Sequence, residues 1–106
     1  RRYVLHFEAR IEDAIADKAA SLAAGARVLD AGAGEGAYAS AFVRQRYTGV
    51  DLAVGDTSWD YSRIDVLADL AALPFPDGTF DFQLNIVTLE HVPEPARVLA
   101  ELRRVL

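Results

Sequence analysis

The chain has 106 residues, of which 52% are hydrophobic and 25% charged, and it contains no cysteine. This length and composition fit one globular domain, residues 1–106, and exclude a disordered chain, a collagen-like repeat and a disulfide scaffold. No apolar run approaches the roughly 20 residues that a membrane-spanning helix needs. We expect a cytoplasmic protein with no membrane span, and we predict no metal site.

The formal net charge is −5, and it is concentrated in the second half of the chain. Residues 1–53 carry seven Lys or Arg against seven Asp or Glu, whereas residues 54–106 carry four against nine. The chain therefore lacks the basic surface with which proteins bind nucleic-acid backbones. Direct binding of DNA or RNA is not expected.

The chain opens with a helix pattern, then a strand and a glycine-rich turn. Residues 7–22 space apolar side chains at helical intervals, and Gly25 follows as a stop signal. Residues 26–30 form a short apolar run that predicts a buried strand. The glycines that follow, over residues 32–36, predict a sharp turn.

The middle of the chain continues the alternation of helix and strand patterns. Residues 37–46 predict a second helix, and residues 47–51 predict a second strand that ends in an acid. Residues 53–62 have no helical period and predict a loop. The inward face of the second helix is expected to carry Tyr38, Ala41, Phe42 and Gln45.

The last third adds two strands and a helix. Residues 63–67 predict a weak third strand, and residues 73–78 have the proline and Asp-Gly chemistry of turns. Residues 80–87 are nearly all apolar, as expected for a strand that is covered on both faces. Pro93 and Pro95 open a final helix, in whose first turn proline is tolerated.

Strands and helices in this order predict an α/β fold. We expect a Rossmann-like, mostly parallel open sheet with flanking helices, in the strand order third, second, first, fourth. Ligands of such sheets bind beyond the carboxyl ends of the strands. Asp30, Asp51 and Asp69 fall at or just after predicted strand ends, and Asn85 falls near the end of the fourth strand. These polar side chains should converge at one edge of the sheet.

The most informative segment is residues 28–36, Val-Leu-Asp-Ala-Gly-Ala-Gly-Glu-Gly. Its alternating glycines let the backbone bend sharply and let a ligand lie against the main chain. Gly32, Gly34 and Ala37 also satisfy the dinucleotide fingerprint G-x-G-x-x-G/A, with Asp51 near the position of its ribose-binding acid. A nicotinamide dinucleotide domain is therefore an alternative.

Asp30 favours a cationic ligand over a dinucleotide. A pyrophosphate binds at the free N–H groups of a helix N-terminus, and a carboxylate two residues before the first glycine would repel it. Asp30, together with Glu35 at the predicted helix start, suits a ligand that carries an ammonium or sulfonium group.

These motifs resemble the class I S-adenosylmethionine-dependent methyltransferases, and among them the type 11 group. The resemblance covers the chain from Arg27 to Leu106. Each motif is short, but five of them occur in the order typical of the family, which makes the match specific. The five lie within residues 30–36, 47–52, 68–75, 80–92 and 101–106.

The resemblance implies roles for individual residues. Asp30 and the backbone of the glycine turn would hold the methionine part of the cofactor, and Asp51 would accept both ribose hydroxyls. Asp69 and the backbone N–H of Leu70 would contact the adenine. A carboxylate has two acceptor oxygens, so Asp51 suits a diol. The predicted cofactor-binding residues are Asp30, Ala31, Gly32, Gly34, Gly36, Asp51, Leu52, Asp69, Leu70 and Asn85.

The catalytic residues are not identified by the sequence. His91 is a candidate general base, and a capping or surface role fits it as well. Methyl transfer from a sulfonium is an in-line displacement, which holding the nucleophile in place accelerates. A base is needed only if the acceptor must lose its proton early.

The chain departs from the family in two places. Residues 53–62 leave no room for the usual helix between the second and third strands, and the chain stops before the fifth strand. We therefore expect the N-terminal part of the seven-stranded class I methyltransferase fold. The apolar fourth strand would lie at an edge, where a second copy could pair with it.

The function that the resemblance implies is S-adenosylmethionine-dependent methyl transfer to an unidentified acceptor, most simply a small molecule. One alternative is the nicotinamide dinucleotide-binding Rossmann domain. The other is a non-catalytic remnant or interaction module, which keeps the fold without turnover.

Overall fold

Helices and strands alternate along the chain. The computed structural model describes residues 2–34, 36–52, 64–85 and 92–106, and of residues 2–10 it describes the backbone. The elements are α1 (Arg2–Ser21), β1 (Arg27–Ala31), a 3₁₀ helix (Ala39–Phe42), β2 (Arg46–Asp51), β3 (Val66–Leu67), β4 (Phe82–Leu84) and α2 (Pro95–Val105).

The four described strands form one parallel sheet in the order β3-β2-β1-β4. β1 pairs along its whole length with β2, from Arg27 opposite Arg46 to Ala31 opposite Val50. On its other side, β1 pairs with β4. The predicted α/β class and strand order are confirmed, and the carboxyl ends of β1 and β2 lie side by side at the centre of one sheet edge.

Alternate residues of β1 face two separate cores, because successive side chains of a strand point to opposite faces. Leu29 and Ala31 pack in a cluster that contains Val98, Leu102 and Val105 of α2. Val28 packs on the other face with Ile15 and Ala19 of α1 and with Phe42 and Leu84. Both faces of β1 are therefore covered, which explains its apolar run. Neither described helix has the length and apolarity of a membrane span.

Two aspartates attach the edge strands to the centre of the sheet by the same contact. Asp65 precedes β3; its N–H donates to the carbonyl of Gly49 (2.9 Å) and its Oδ2 accepts the N–H of Gly49 (2.7 Å). Asp81 precedes β4 and makes the same pair of bonds with Arg27, both at 2.8 Å. Regular strand pairing begins after these two aspartates, so β3 and β4 are shorter than predicted. Residues 53–63, 86 and 87 lie outside the described residues.

The prediction of a second helix over residues 37–46 is wrong. This segment consists of turns around the 3₁₀ helix Ala39–Phe42. β2 must begin at Arg46 to pair with Arg27, and the N–H of Gln45 donates to the carbonyl of Phe42 in a tight turn (3.0 Å). The predicted inward face is nonetheless correct: Phe42 is buried, and Tyr38, Ala41 and Gln45 are half-buried.

Candidate cofactor site

The glycine turn follows β1 at the carboxyl edge of the sheet. Gly32, Gly34 and Gly36 have φ angles of 76°, 57° and 73°, a left-handed conformation that costs other residues roughly 1–2 kcal/mol each. The N–H groups of Gly32 and Ala33 both donate to the carbonyl of Val50, at 2.8 and 3.0 Å. The start of the turn is therefore fixed to the end of β2.

Asp51 is the last residue of β2, and it contacts the glycine turn directly. Its Oδ2 accepts the N–H of Gly34 at 2.8 Å, and the side chain is half-buried. Each carboxylate oxygen can accept more than one hydrogen bond. The structure thus brings together two parts of the predicted site, the glycine turn and the acid that follows β2.

Asp30 is the one buried charged side chain among the described residues, with a relative exposure of 4%. Its Oδ2 accepts the hydroxyl of Tyr47 at 2.5 Å. Burial raises the pKa of Asp30 and the negative charge of Asp51 adds to this rise, whereas the hydrogen bond from Tyr47 opposes it. Within the described part of the chain no basic side chain forms an ion pair with Asp30.

Tyr47 is a residue of the site that the sequence reasoning did not identify. Burial raises its pKa above the usual value, and the hydrogen bond to Asp30 raises it further, so the hydroxyl remains a proton donor. The sequence places Tyr47 and Gly49 on the same face of β2. The sheet register sets Gly49 opposite Asp30, and this pairing places the side chain of Asp30 on the same face as Tyr47.

Asp69 and Leu70 follow β3 by two and three residues. Asp69 is exposed, and its Oδ1 accepts the N–H of Ala71 at 2.8 Å. The side chain of Leu70 is buried in the α2-side core, so its backbone alone would be available to a ligand, and the predicted adenine contact stays a prediction. Asp65, the other acid near β3, has its carboxylate bonded to the backbone of β2.

The remaining predicted residues occupy different positions. Asn85 follows β4 directly, and its buried Oδ1 has no hydrogen-bond partner in the described structure. Ala31 is buried at the end of β1, and Leu52 is about half exposed next to Asp51. Glu35 and His91 lie outside the described residues, so their roles stay predictions. No group of three or more potential metal ligands occurs within the described ranges.

A family model and the relatives found by sequence comparison indicate the same protein family. Residues 29–106 match the family model described as methyltransferase domain. A probable S-adenosylmethionine-dependent methyltransferase of Mycobacterium tuberculosis is 40% identical over 85 residues, which are 74% of this chain and 31% of that protein. An uncharacterized methyltransferase of Mycobacterium sp. (strain KMS) is 35% identical over 116 residues, covering 92% of this chain and 46% of that protein.

Solved structures show the same fold. The YcgJ protein of Bacillus subtilis superimposes with a TM-score of 0.72 at 27% identity, covering 90% of this chain and 45% of that one. The [4+2]-cyclase SpnF superimposes with a TM-score of 0.70 at 30% identity, covering 92% of this chain and 40% of that one. The chain spans about a third to a half of the length of these proteins. It belongs to the family of S-adenosylmethionine-dependent methyltransferase domains.

Proposed function

We propose that the protein binds S-adenosylmethionine at the carboxyl edge of β1 and β2 and transfers its methyl group to a small-molecule acceptor. One observation carries this proposal. The carboxylate of Asp30 is buried without a basic partner in the described structure, two residues before the glycine turn. A buried charge is costly unless it is paired, and S-adenosylmethionine carries both an ammonium and a sulfonium group.

The other residues of this edge fit the remaining parts of the same molecule. The glycine turn exposes main chain on which the methionine part can lie, and the half-buried carboxylate of Asp51 suits the ribose diol. Asp69, the backbone of Leu70 and the side chain of Leu52 would contact the adenine side. Asn85 offers a buried acceptor that lacks a partner in the described structure.

The contribution of this chain to the reaction is binding and orientation. S-adenosylmethionine supplies a methyl group on a positively charged sulfur, which a nucleophile attacks as the thioether leaves. Asp30 and Asp51 would fix the two ends of the methionyl-ribose unit, so that the methyl group has a defined position for in-line attack. A role for His91 as a general base stays a hypothesis.

A second candidate function is a domain that keeps the fold without methyl transfer. The similarity to a chain named a [4+2]-cyclase favours it, since one fold can support unrelated reactions. The dinucleotide alternative is less well supported, because Asp30 would face a pyrophosphate with an unpaired buried charge. A cytoplasmic location and pairing of two copies along the β4 edge stay predictions.

Isothermal titration calorimetry of the protein with three ligands tests the proposal. We expect binding of S-adenosylmethionine and of its demethylated product, S-adenosylhomocysteine, with one site per chain, and no binding of NADH. Binding of NADH alone would overturn the proposal in favour of the dinucleotide domain. If both adenosyl ligands bind but no product forms with any class of small-molecule nucleophile, the candidate that keeps the fold without methyl transfer is supported instead.

A further inference from the structure

The side chain of Tyr47 extends from β2 to Asp30, the next-to-last residue of β1. It lies near-parallel to the ring of Phe42, with 6.2 Å between centroids, and is half-buried at the edge of the α1-side core. Its hydroxyl donates to Oδ2 of Asp30 at 2.5 Å. The phenol thus joins the two central strands by a side-chain hydrogen bond directly below the glycine turn.

Gly49 makes room for this crossing. It lies opposite Asp30 in the register of the sheet, and a Cβ atom there would be 3.3 Å from Cε1 of Tyr47 and 3.4 Å from its hydroxyl. The same Cβ would be 3.2 Å from the Cβ of Ala33, in the glycine turn. Gly49 has an ordinary φ, so its backbone conformation does not require glycine. The close neighbours leave little space for a side chain, and this explains why the position is a glycine.

The hydrogen bond has two effects on Asp30. It fixes one carboxylate oxygen against β2, which determines the direction of the other. It also favours the ionised carboxylate, against the combined effects of burial and of the nearby charge of Asp51. Both effects prepare Asp30 for a cation, because an ammonium group needs a charged and oriented acceptor.

We propose that Tyr47 is a positioning residue that directs Asp30 toward the ammonium group of the cofactor's methionine part. This inference rests on the proposed function. It assigns to Tyr47 a selective effect: the phenol should matter for ligands that carry the amino-acid end and not for ligands that lack it. A residue that only supported the fold would affect all adenosine ligands alike.

The variant Tyr47→Phe tests this selectivity, because it removes the hydroxyl and keeps the packing against Phe42. Calorimetry would compare S-adenosylmethionine and S-adenosylhomocysteine, which carry the ammonium group, with 5′-methylthioadenosine, which lacks the amino-acid part. We expect the affinity for the first two to fall about 5- to 30-fold, less than for the loss of a direct hydrogen bond to a charged group, because Tyr47 acts on the ligand through Asp30. The affinity for methylthioadenosine should change less than about twofold.

Two further variants make the result decisive. Thr79→Val removes a hydroxyl that donates to the carbonyl of Pro76, before β4 at the amino end of the sheet, and it should leave all three affinities unchanged. Asp30→Asn should cause the same selective loss as Tyr47→Phe, and the double variant should lose little more than Asp30→Asn alone, since the two residues act as a pair. If Tyr47→Phe does not fold, NMR of the unaltered protein tests the claim instead: the signal of the Tyr47 hydroxyl proton should shift when S-adenosylhomocysteine binds and not when methylthioadenosine binds. Equal shifts for the two ligands would overturn the claim.

The binding results distinguish the proposed role of Tyr47 from the proposed function of the protein. An equal loss for all three ligands, or no loss for the two that carry the ammonium group, would overturn the role of Tyr47 and leave the proposed function standing. If the unaltered protein binds none of the three ligands, the proposed function fails as well.

Discussion

Asp30 is the residue at which stability and function conflict. Its carboxylate is buried, lies near the carboxylate of Asp51, and has a raised pKa. A side chain chosen for stability alone would be apolar here, like its neighbours Leu29 and Ala31. The presence of an acid in this strand is therefore best explained by a cationic ligand, in the way that functional residues are commonly kept at a cost in stability.

The variant Asp30→Asn should be more stable than the unaltered protein at neutral pH. Because the folded-state pKa is raised, the folded protein binds more protons than the unfolded chain from the unperturbed pKa of 3.8 upward. Stability therefore falls as the pH rises through this range. Urea unfolding at several pH values should show a gain for Asp30→Asn at pH 7 that shrinks toward pH 4. A constant gain, or a loss at pH 7, would contradict the account of Asp30.

Asp51 should control cofactor affinity with little effect on stability. Asp51→Asn keeps an oxygen for the N–H of Gly34 and removes the charge that would bind the ribose hydroxyls. Losing a charge-assisted pair of about 2–3 kcal/mol predicts a fall in affinity for S-adenosylmethionine on the order of 30- to 150-fold. Asp81→Asn is the matched control, since its carboxylate lies at the amino end of the sheet. Equal affinities in both variants would remove Asp51 from the site.

The sequence predicted polar residues for the candidate site, but it did not predict all of their contacts. Asp51 was placed correctly beside the glycine turn because parallel strands share a carboxyl edge. The bond from Tyr47 to Asp30 could not be predicted, since it depends on the register that sets Gly49 opposite Asp30. The bonds of Asp65 to Gly49 also needed the structure, because they depend on where β3 begins to pair with β2.

At the scale of elements, α2 holds the segment that connects β3 to β4. Oε1 of Glu101 accepts the N–H of Leu73 at 2.9 Å. The guanidinium of Arg104 donates to the carbonyls of Leu73 (3.1 Å) and Phe75 (2.8 Å). It also pairs with Asp77 and with Glu101. The pKa of Glu101 is lowered, chiefly by the hydrogen bond from Arg104. One arginine thus satisfies backbone acceptors of a segment that has no regular structure.

Replacing Arg104 by Met should lower the thermal unfolding midpoint by several degrees. The substitution keeps a long apolar stem and leaves the carbonyls of Leu73 and Phe75 without their donor. Arg103→Met is the matched control, since Arg103 is exposed on the same helix and should be nearly neutral. Differential scanning calorimetry compares the two. Equal midpoints would mean that the segment is held by its apolar contacts alone.

The element predictions failed where local pattern and strand pairing disagreed. Residues 37–46 have the spacing of an amphipathic helix, yet the chain must reach Arg46 in register with Arg27. A short 3₁₀ helix and turns meet that requirement while still burying Phe42. The long elements were predicted better, because α1 and α2 each have a sustained apolar stripe and the central strands have unbroken apolar runs.

At the scale of the whole molecule, the sheet explains why the site lies where it does. Its two central strands end together: β1 has the buried acid Asp30 as its next-to-last residue, just before the glycine turn, and β2 ends in Asp51, which is bonded to that turn. The fold class and strand order followed from the alternation of patterns in the sequence. One position of the glycine turn and the segment after β4 lie outside the described residues, so the roles of Glu35 and His91 stay predictions.

The most direct test of the account is a crystal structure of the protein with S-adenosylhomocysteine bound. The account predicts the ribose hydroxyls within hydrogen-bonding distance of the Asp51 carboxylate and the ammonium group beside Asp30, with the methionine part against the backbone of Gly32 and Gly34. A ligand bound elsewhere, or bound at this edge with its ribose away from Asp51, would contradict it.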